Sequence, residues 1–376
     1  MAHLAWFAFW SPALLLVHVF VGYPLVVWCQ ARLAPRPVNR GAVSCAITVV
    51  MAVHDGARHL REKLDNLRAL DYPQGRIDIV LACDGCTDDT VAIARRHAGS
   101  DLTVLVFDQR RGKAACLNDA VAKASGDLLL FTDVRQRLSP SAARELAASF
   151  ADAGVGAVGG ELQMENVRGG FAQGVDFYWR YEKAIRHAES LSGSMIGVSG
   201  ALYAMRRHLF RPLPEGTVLD DVLIPMRVAA QGYRVVFEPR AIAWDQPSTH
   251  PEQERRRKIR TLAGNYQLVQ LAPWLLSPAA NPLWFRFASH KLLRLLAPWL
   301  IVLMTLASAA LSTRHPMYAL TFCAIVVSAV LVGVAMLAPA LGRRFPLRIA
   351  LAFFYLNLFA AQALLAFARN RRLHLW

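Results

Sequence analysis

The chain has 376 residues, 55% of them hydrophobic, with a mean hydropathy of +0.30, which is too apolar for an ordinary soluble protein. Its 42 Lys and Arg against 27 Asp and Glu leave a net charge of +15. Basic stripes interleaved with stacking aromatics are absent, so nucleic acid is not the expected partner and anionic membrane lipids are.

The stretch from Leu4 to Trp28 contains no Asp, Glu, Lys or Arg. At roughly 1.5 Å per residue it crosses a hydrocarbon core of about 30 Å. The first charged side chain, Arg32, lies beyond it, unlike the basic start of a cleaved leader, so a retained anchor is expected. Three further spans are predicted near residues 292 to 312, 317 to 339 and 347 to 367, separated by Arg314 and His315 and by Arg343, Arg344 and Arg348. Arg32, Arg36 and Arg40 follow the first span, and Lys291 and Arg294 begin the second. Positive flanks stay inside, so the domain between them is expected on the cytoplasmic face of a multi-pass inner-membrane protein. Arg369, Arg371 and Arg372 would then face outward, against the same rule. Cys83 and Cys86 are the one close cysteine pair, without a second pair to complete four zinc ligands, and a reduced compartment fits.

From Ala42 the pattern becomes α/β. Strands are predicted at Ile47 to Val50, Ile77 to Leu81, Leu102 to Phe107 and Asp127 to Phe131, with helices at Arg58 to Leu70, Val91 to His97 and Lys113 to Ala124 between them. Such alternation implies a mostly parallel sheet with a ligand crevice at the carboxyl ends of the strands. Three of these ends carry a carboxylate: Asp55, Asp84 and Asp133. Each alone reads equally well as a turn or helix cap. Gathered on one sheet edge they would repel unless a ligand or cation compensated, which favours a site. No Gly-rich phosphate loop follows the first strand, which disfavours dinucleotide and P-loop readings.

These segments resemble the family 2 glycosyltransferases, an inverting group with the GT-A fold, over roughly residues 44 to 270. Val49 to Asp55 looks like the first strand and acidic loop of that family. Ile79 to Asp88 is similar to its VDDGSTD segment, Arg111 to Asn118 to its GKAGALN segment, and Phe131-Thr132-Asp133 to the start of its Asp-x-Asp. The resemblance implies an α/β GT-A domain over 41–250, after an anchor and linker over 1–40 and before basic interfacial helices over 251–290 and spans over 291–376. It implies that Asp55 and Asp84 contact the uracil and ribose of a nucleotide-sugar donor, that Lys113 and Asn118 belong to the nucleotide site, and that Asp133 holds the donor near its diphosphate. The third position of the Asp-x-Asp is Arg135, and Arg is never an oxygen ligand. Arg135 can neutralise phosphate itself, or Asp133 can hold Mg²⁺ or Mn²⁺ with fewer protein ligands.

Farther on, Gly197 to Arg207 is similar to the strand under the donor sugar, where Gly200 lets backbone approach closely. Leu219-Asp220-Asp221-Val222 stands where the family has its acidic catalytic pair. Inversion needs a base for the acceptor hydroxyl; Asp221 is the candidate, with Asp220 as its neighbour or substitute. In processive members a Gln-x-x-Arg-Trp helix follows; here Arg256 and Arg257 are available to the diphosphate, but Lys258 stands in the Trp position. The expected activity is inverting transfer from a nucleotide sugar, UDP-linked, to a glycan or lipid-linked acceptor. The alternatives are a processive polysaccharide synthase exporting through its spans and a non-catalytic transporter or scaffold. A transporter's spans should carry ionisable residues along a path, and these carry almost none in their cores.

Overall fold

A computed structural model describes residues 2–73, 75–165, 170–246, 251–338, 341, 344, 346–369, 373 and 375. Arg343, Arg371 and Arg372 lie outside the described residues. In chain order the elements are α1 (His3–Leu33), β1 (Ile47–Val53), α2 (Ala57–Arg68), β2 (Ile77–Asp84), α3 (Thr90–His97), β3 (Leu102–Phe107), α4 (Lys113–Lys123), β4 (Leu128–Thr132) and β5 (Arg137–Leu138). There follow α5 (Ala142–Ala148), β6 (Val155–Met164), α6 (Gly170–Leu191), β7 (Leu202–Arg206), α7 (Asp220–Ala230), β8 (Arg234–Asp245) and α8 (Pro251–Leu271). The chain ends in α9 (Trp284–Leu311), α10 (Pro316–Leu337) and α11 (Leu347–Arg369).

The strands form one sheet in the order β3-β2-β1-β4-β7-β6-β8-β5. β3, β2, β1 and β4 run parallel, whereas β7 is antiparallel to both of its neighbours. Every residue of β1 is buried, and the two faces sort by alternation. Val49, Met51 and Val53 face a core completed by Leu60, Leu64 and Leu67 of α2, while Val50 and Ala52 face one completed by α4 and α7. Leu60, Leu64 and Leu67 recur at helical spacing, which is why α2 lies flat on the sheet. β4 starts one residue later than its apolar run predicts, because the Asp127 carboxylate accepts from Ala46 N (3.2 Å) before the strand begins. The parallel arrangement brings Asp55, Asp84 and Asp133 to one edge, as the alternation predicts.

Among the described residues, four helices are long and apolar enough to cross a membrane: α1, α9, α10 and α11. The α/β domain is fastened to them through α6. Ile185 and Ala188 pack on Tyr23, Val27 and Ala31 of α1. Beside that contact His290 bridges two buried carboxylates, Nδ1 to Glu189 Oε1 at 2.7 Å and Nε2 to Glu182 Oε2 at 3.0 Å. Arg294 also pairs with Glu182, and the Tyr23 hydroxyl donates to Glu189. Arg286 donates to the carbonyls of Glu189 and Ser194 at 2.7 and 2.6 Å. Buried charges survive only when paired, so this network fixes how the domain sits on the helices.

Replacing Glu182 with Ala leaves Arg294 and His290 without that carboxylate in a buried setting, and the expected loss is about 3–5 kcal/mol of stability. A melting curve of the detergent-solubilised protein checks it, the prediction being a clearly lower Tm for Glu182→Ala than for exposed Glu252→Ala.

Candidate active site

The loops after β1, β2 and β4 and the start of α7 build one acidic site around a lysine. Lys113 opens α4, and its Nζ lies 3.1 Å from Asp133 Oδ1 and 3.2 Å from Asp220 Oδ2. Asp133 leaves β4 with about a third of its side chain exposed, and Asp220 is buried at the start of α7. Gly200 borders the same space: a Cβ there would lie 3.6 Å from both Asp221 Oδ2 and Lys113 Nζ. The loop carrying Gly200 is tied to α7 by Val198 N donating to Asp221 O (2.9 Å). Asp133, Lys113, Asp220, Asp221 and Gly200, far apart in the chain, therefore meet.

The electrostatics divide the two acids. Burial, then the neighbouring Asp220 carboxylate, push Asp221 up to about 6, against the opposing pull of Lys113 and Lys291. A carboxylate poised there is ionised at neutral pH yet basic enough to accept a proton. Burial disfavours the Lys113 ammonium, but Asp133, Asp220 and Asp221 together outweigh it and keep Lys113 charged.

Other predicted residues take different positions. Asp84 is buried, and its oxygens accept from Arg111 N (2.6 Å) and Gly112 N (2.9 Å). It thereby anchors the turn that launches Lys113. Gly85 follows at φ +57°, where a Cβ would lie 2.6 Å from Arg110 N, so glycine is needed on both counts. Asp55, itself at φ +47°, accepts from Thr87 N (2.7 Å) and Thr87 Oγ1 (3.1 Å), and these bonds lower its pKa. Asp55 and Asp84 thus join the loops of β1, β2 and α4 at one end of the site. The Asn118 amide is spent on Leu213, donating to its carbonyl at 2.9 Å and accepting from its N–H at 2.8 Å. Arg135 turns to Asp245 (3.1 Å) at the end of β8. Arg256 is exposed and Arg257 pairs with Glu254 (2.7 Å) on its own helix.

Four groups were not singled out from the sequence as site residues. Arg260, one turn beyond Arg257, lies within electrostatic reach of Asp133, Asp220 and Asp221, and its Nε is buried without a hydrogen-bond partner. The helical spacing from Arg257 is its sequence signal. Lys63 lies on the apolar stripe of α2, a position that is itself a signal, and its Nζ donates to Thr132 Oγ1 (2.8 Å) and Gln136 O (2.7 Å) around Asp133. Burial lowers it to about 7. Tyr203 stacks on Phe131 with centroids 4.6 Å apart, its buried hydroxyl unpartnered beside the acids. Lys291, at the head of α9, acts on Asp221 from the membrane side.

The donor set offers a divalent cation little protein ligation. Asp133 supplies one hard oxygen, and Arg135 is engaged elsewhere. The fit requires a ligand diphosphate to complete the shell. Asp55, Cys86 and Asp88 also converge, their ligand atoms within 4.8 Å of one another, but both carboxylates already accept from Thr87, Thr90 and Ala57.

A family model described as "Glycosyltransferase like family 2" matches residues 46–264, more than half of the chain. A poly-beta-1,6-N-acetyl-D-glucosamine synthase of Staphylococcus aureus is 23% identical over 205 residues, 53% of this chain and 49% of its own. The chain thus spans about half the length of that relative. An N-acetylglucosaminyltransferase of Azorhizobium caulinodans is 26% identical over 281 residues, covering 70% of each chain. A solved mannosyltransferase of Pyrobaculum calidifontis, in complex with GDP-Man and Mn²⁺, superposes with TM-score 0.70 over 96% of this chain and 99% of its own, at 23% identity. That likeness establishes the shared GT-A fold.

Two outcomes follow from the electrostatics. kcat/KM is expected to rise tenfold per pH unit up to a midpoint near 6 and then level off, because Asp221 must lose its proton to act as a base. Asp220→Asn removes the neighbouring negative charge and should move that midpoint to lower pH; a pH–rate profile that stays in place contradicts the coupling. Gly85→Ala forces a Cβ into Arg110, and loss of donor binding with retained secondary structure is the result to look for by calorimetry and circular dichroism.

Proposed function

The chain belongs to glycosyltransferase-like family 2 and is a transferase acting on nucleotide sugars; from that membership we propose inverting transfer of an N-acetylhexosamine from a UDP-linked donor to a lipid-linked acceptor at the cytoplasmic membrane face. One observation carries the reading: Lys113 stands between Asp133 and Asp220 with Asp221 alongside, at the carboxyl edge of the sheet. Both curated relatives are named for N-acetylglucosamine, which favours that class of sugar. The positive flanks Arg32, Arg36 and Arg40 favour the cytoplasmic side.

In this mechanism Asp221 takes the proton of the acceptor hydroxyl while that oxygen bonds the anomeric carbon. The bond from that carbon to the diphosphate oxygen breaks on the opposite face, and the nucleoside diphosphate departs with the electron pair. Lys113, with Arg260 also in electrostatic reach of the same acids, offsets the charge that develops on the leaving diphosphate. Mg²⁺ or Mn²⁺, when bound, would add Lewis-acid neutralisation of that charge. Asp133 is the residue to hold it. Asp55 and Asp84 shape the nucleotide end through the loops they brace, Gly200 admits the sugar, and Tyr203 and Lys63 support the floor around Asp133. Arg135 and Arg257 are paired with Asp245 and Glu254, which leaves exposed Arg256 as the one of the three offered to a long acceptor.

Single transfer is favoured because α8 contains no Trp to stack a growing chain. Polymer formation is the second reading, since the Staphylococcus relative is named a synthase. Product length on a radiolabelled donor separates them.

Two measurements test the assignment. Thermal shift against UDP- and GDP-sugars, with and without Mn²⁺, should show stabilisation by a UDP-N-acetylhexosamine; no response to any nucleotide sugar contradicts it. Asp221→Asn should cut turnover by about 10² to 10⁴ while donor affinity stays unchanged. Equal losses in binding and turnover would remove Asp221 from the base role.

A further inference from the structure

A cavity of about 490 Å³ lies between α8, the Pro273–Leu276 turn, α9 and α11. That is the size of a ligand site rather than a packing defect. Its walls are Val269, Leu276, Leu292, Leu295, Leu296 and Phe367. Leu276 and Leu296 keep 45% and 44% of their surface exposed, so the cavity opens outward beside α9, one of the four helices long and apolar enough to cross a membrane.

One end is not apolar. Asn265 and Tyr266 line it, and Asn265 Oδ1 and the Tyr266 hydroxyl are buried without hydrogen-bond partners. Asn265 is 4% exposed, and its amide nitrogen is already given to Thr261 O (3.0 Å). An amide oxygen and a phenol left unpaired beside hydrocarbon are costly, because no water reaches them there. They call for a ligand that is apolar along most of its length and polar at one end.

That polar end adjoins the reactive centre. Gly264, next to Asn265, packs so closely on Leu219 that a Cβ would lie 2.8 Å from its Cγ, and Leu219 immediately precedes Asp220. On the opposite wall Leu292 follows Lys291, whose ammonium acts on Asp221. Arg260, one helical turn before Gly264, reaches the same acids with an unpartnered Nε–H.

We propose that this groove seats the hydrocarbon chain of the lipid-linked acceptor, with a phosphate of its head group on Arg260 and Tyr266 and the reacting sugar hydroxyl beside Asp221. The assignment rests on the transferase reading and makes its acceptor a membrane lipid carrying a phosphate. The donors and acceptors match: Arg260 Nε–H and Tyr266 O–H donate to phosphate oxygens, and Asn265 Oδ1 accepts from a sugar hydroxyl. The chain enters from the bilayer without crossing water, and the head group meets the base without leaving the interface.

The test uses the full-length protein in phosphatidylcholine nanodiscs with two acceptors that share one glycosyl-phosphate head, one on a long polyisoprenyl chain and one on a methyl group. Leu296→Trp and Leu276→Trp, both at exposed wall positions, narrow the groove. The expected result is a rise of about tenfold in KM for the long-chain acceptor, with kcat, donor hydrolysis and methyl-acceptor kinetics unchanged. A wild-type enzyme that uses both acceptors equally well, or variants that leave the long-chain KM unchanged or alter both acceptors alike, would overturn the proposal. A diazirine-bearing polyisoprenyl phosphate provides a readout that needs neither turnover nor a variant. It should label peptides containing Leu296 or Phe367, with competition by unlabelled polyisoprenyl phosphate and not by phosphatidylglycerol. Equal competition by phosphatidylglycerol makes the groove a general lipid site and overturns the proposal, as does labelling elsewhere. Absence of sugar transfer to every acceptor would instead defeat the transferase reading, while the photolabelling still reports on the groove.

Discussion

The Lys113 ammonium between Asp133 and Asp220 is the contact on which the rest of the site depends. Carboxylates brought to one sheet edge repel, by about 4 kcal/mol for unit charges about 4 Å apart near a protein surface. A fixed cation at their centre offsets that repulsion as β4 and α7 close on one another. It also places positive charge where a leaving diphosphate would need it. In the proposed reaction the same group thus serves folding and chemistry, and it stands there because Asp84 holds the Arg111–Gly112 turn from which α4 starts.

Around that centre the polar groups fall into two kinds. Asp84, Asn118 and Lys63 have their hydrogen-bonding capacity committed to backbone or neighbouring side chains, and they act by fixing loops. Tyr203, Arg260, Asn265 and Tyr266 keep buried atoms without partners and face the site or the cavity beside it. Unsatisfied buried polar atoms are expensive in a protein interior and concentrate where a ligand completes them. These four groups run from the acid cluster along α8 toward the long apolar helices, and the coupling of the domain to those helices by Glu182, Glu189 and His290 keeps the two regions in register.

The first half of the domain was legible in the sequence because β1, β4 and most of β2 are buried on both faces and read as apolar runs, while α2 shows its stripe at Leu60, Leu64 and Leu67. Beyond Gly156 that legibility fails. β6 carries Gly156, Gly159 and Gly160, and its pairing with β8 depends on contacts distant in sequence. α6 presents buried Glu182 and Glu189 to His290, which no amphipathic pattern predicts. At the site, acid positions were readable from strand ends, but the direction of a side chain was not. Asn118 sits in a recognisable motif yet clasps Leu213, and the arginine that reaches the acids is Arg260 rather than Arg256 or Arg257, a matter of helix rotation set by tertiary packing.

The most direct test of this account is an experimental structure of the protein with an unhydrolysed nucleotide-sugar donor. The account predicts the diphosphate against Lys113 and Asp133, with the anomeric carbon facing Asp221 and room between them for an acceptor oxygen that lies about 3–3.5 Å from that carbon. A donor bound with its diphosphate away from Lys113, or with Asp221 turned from the sugar, would contradict it.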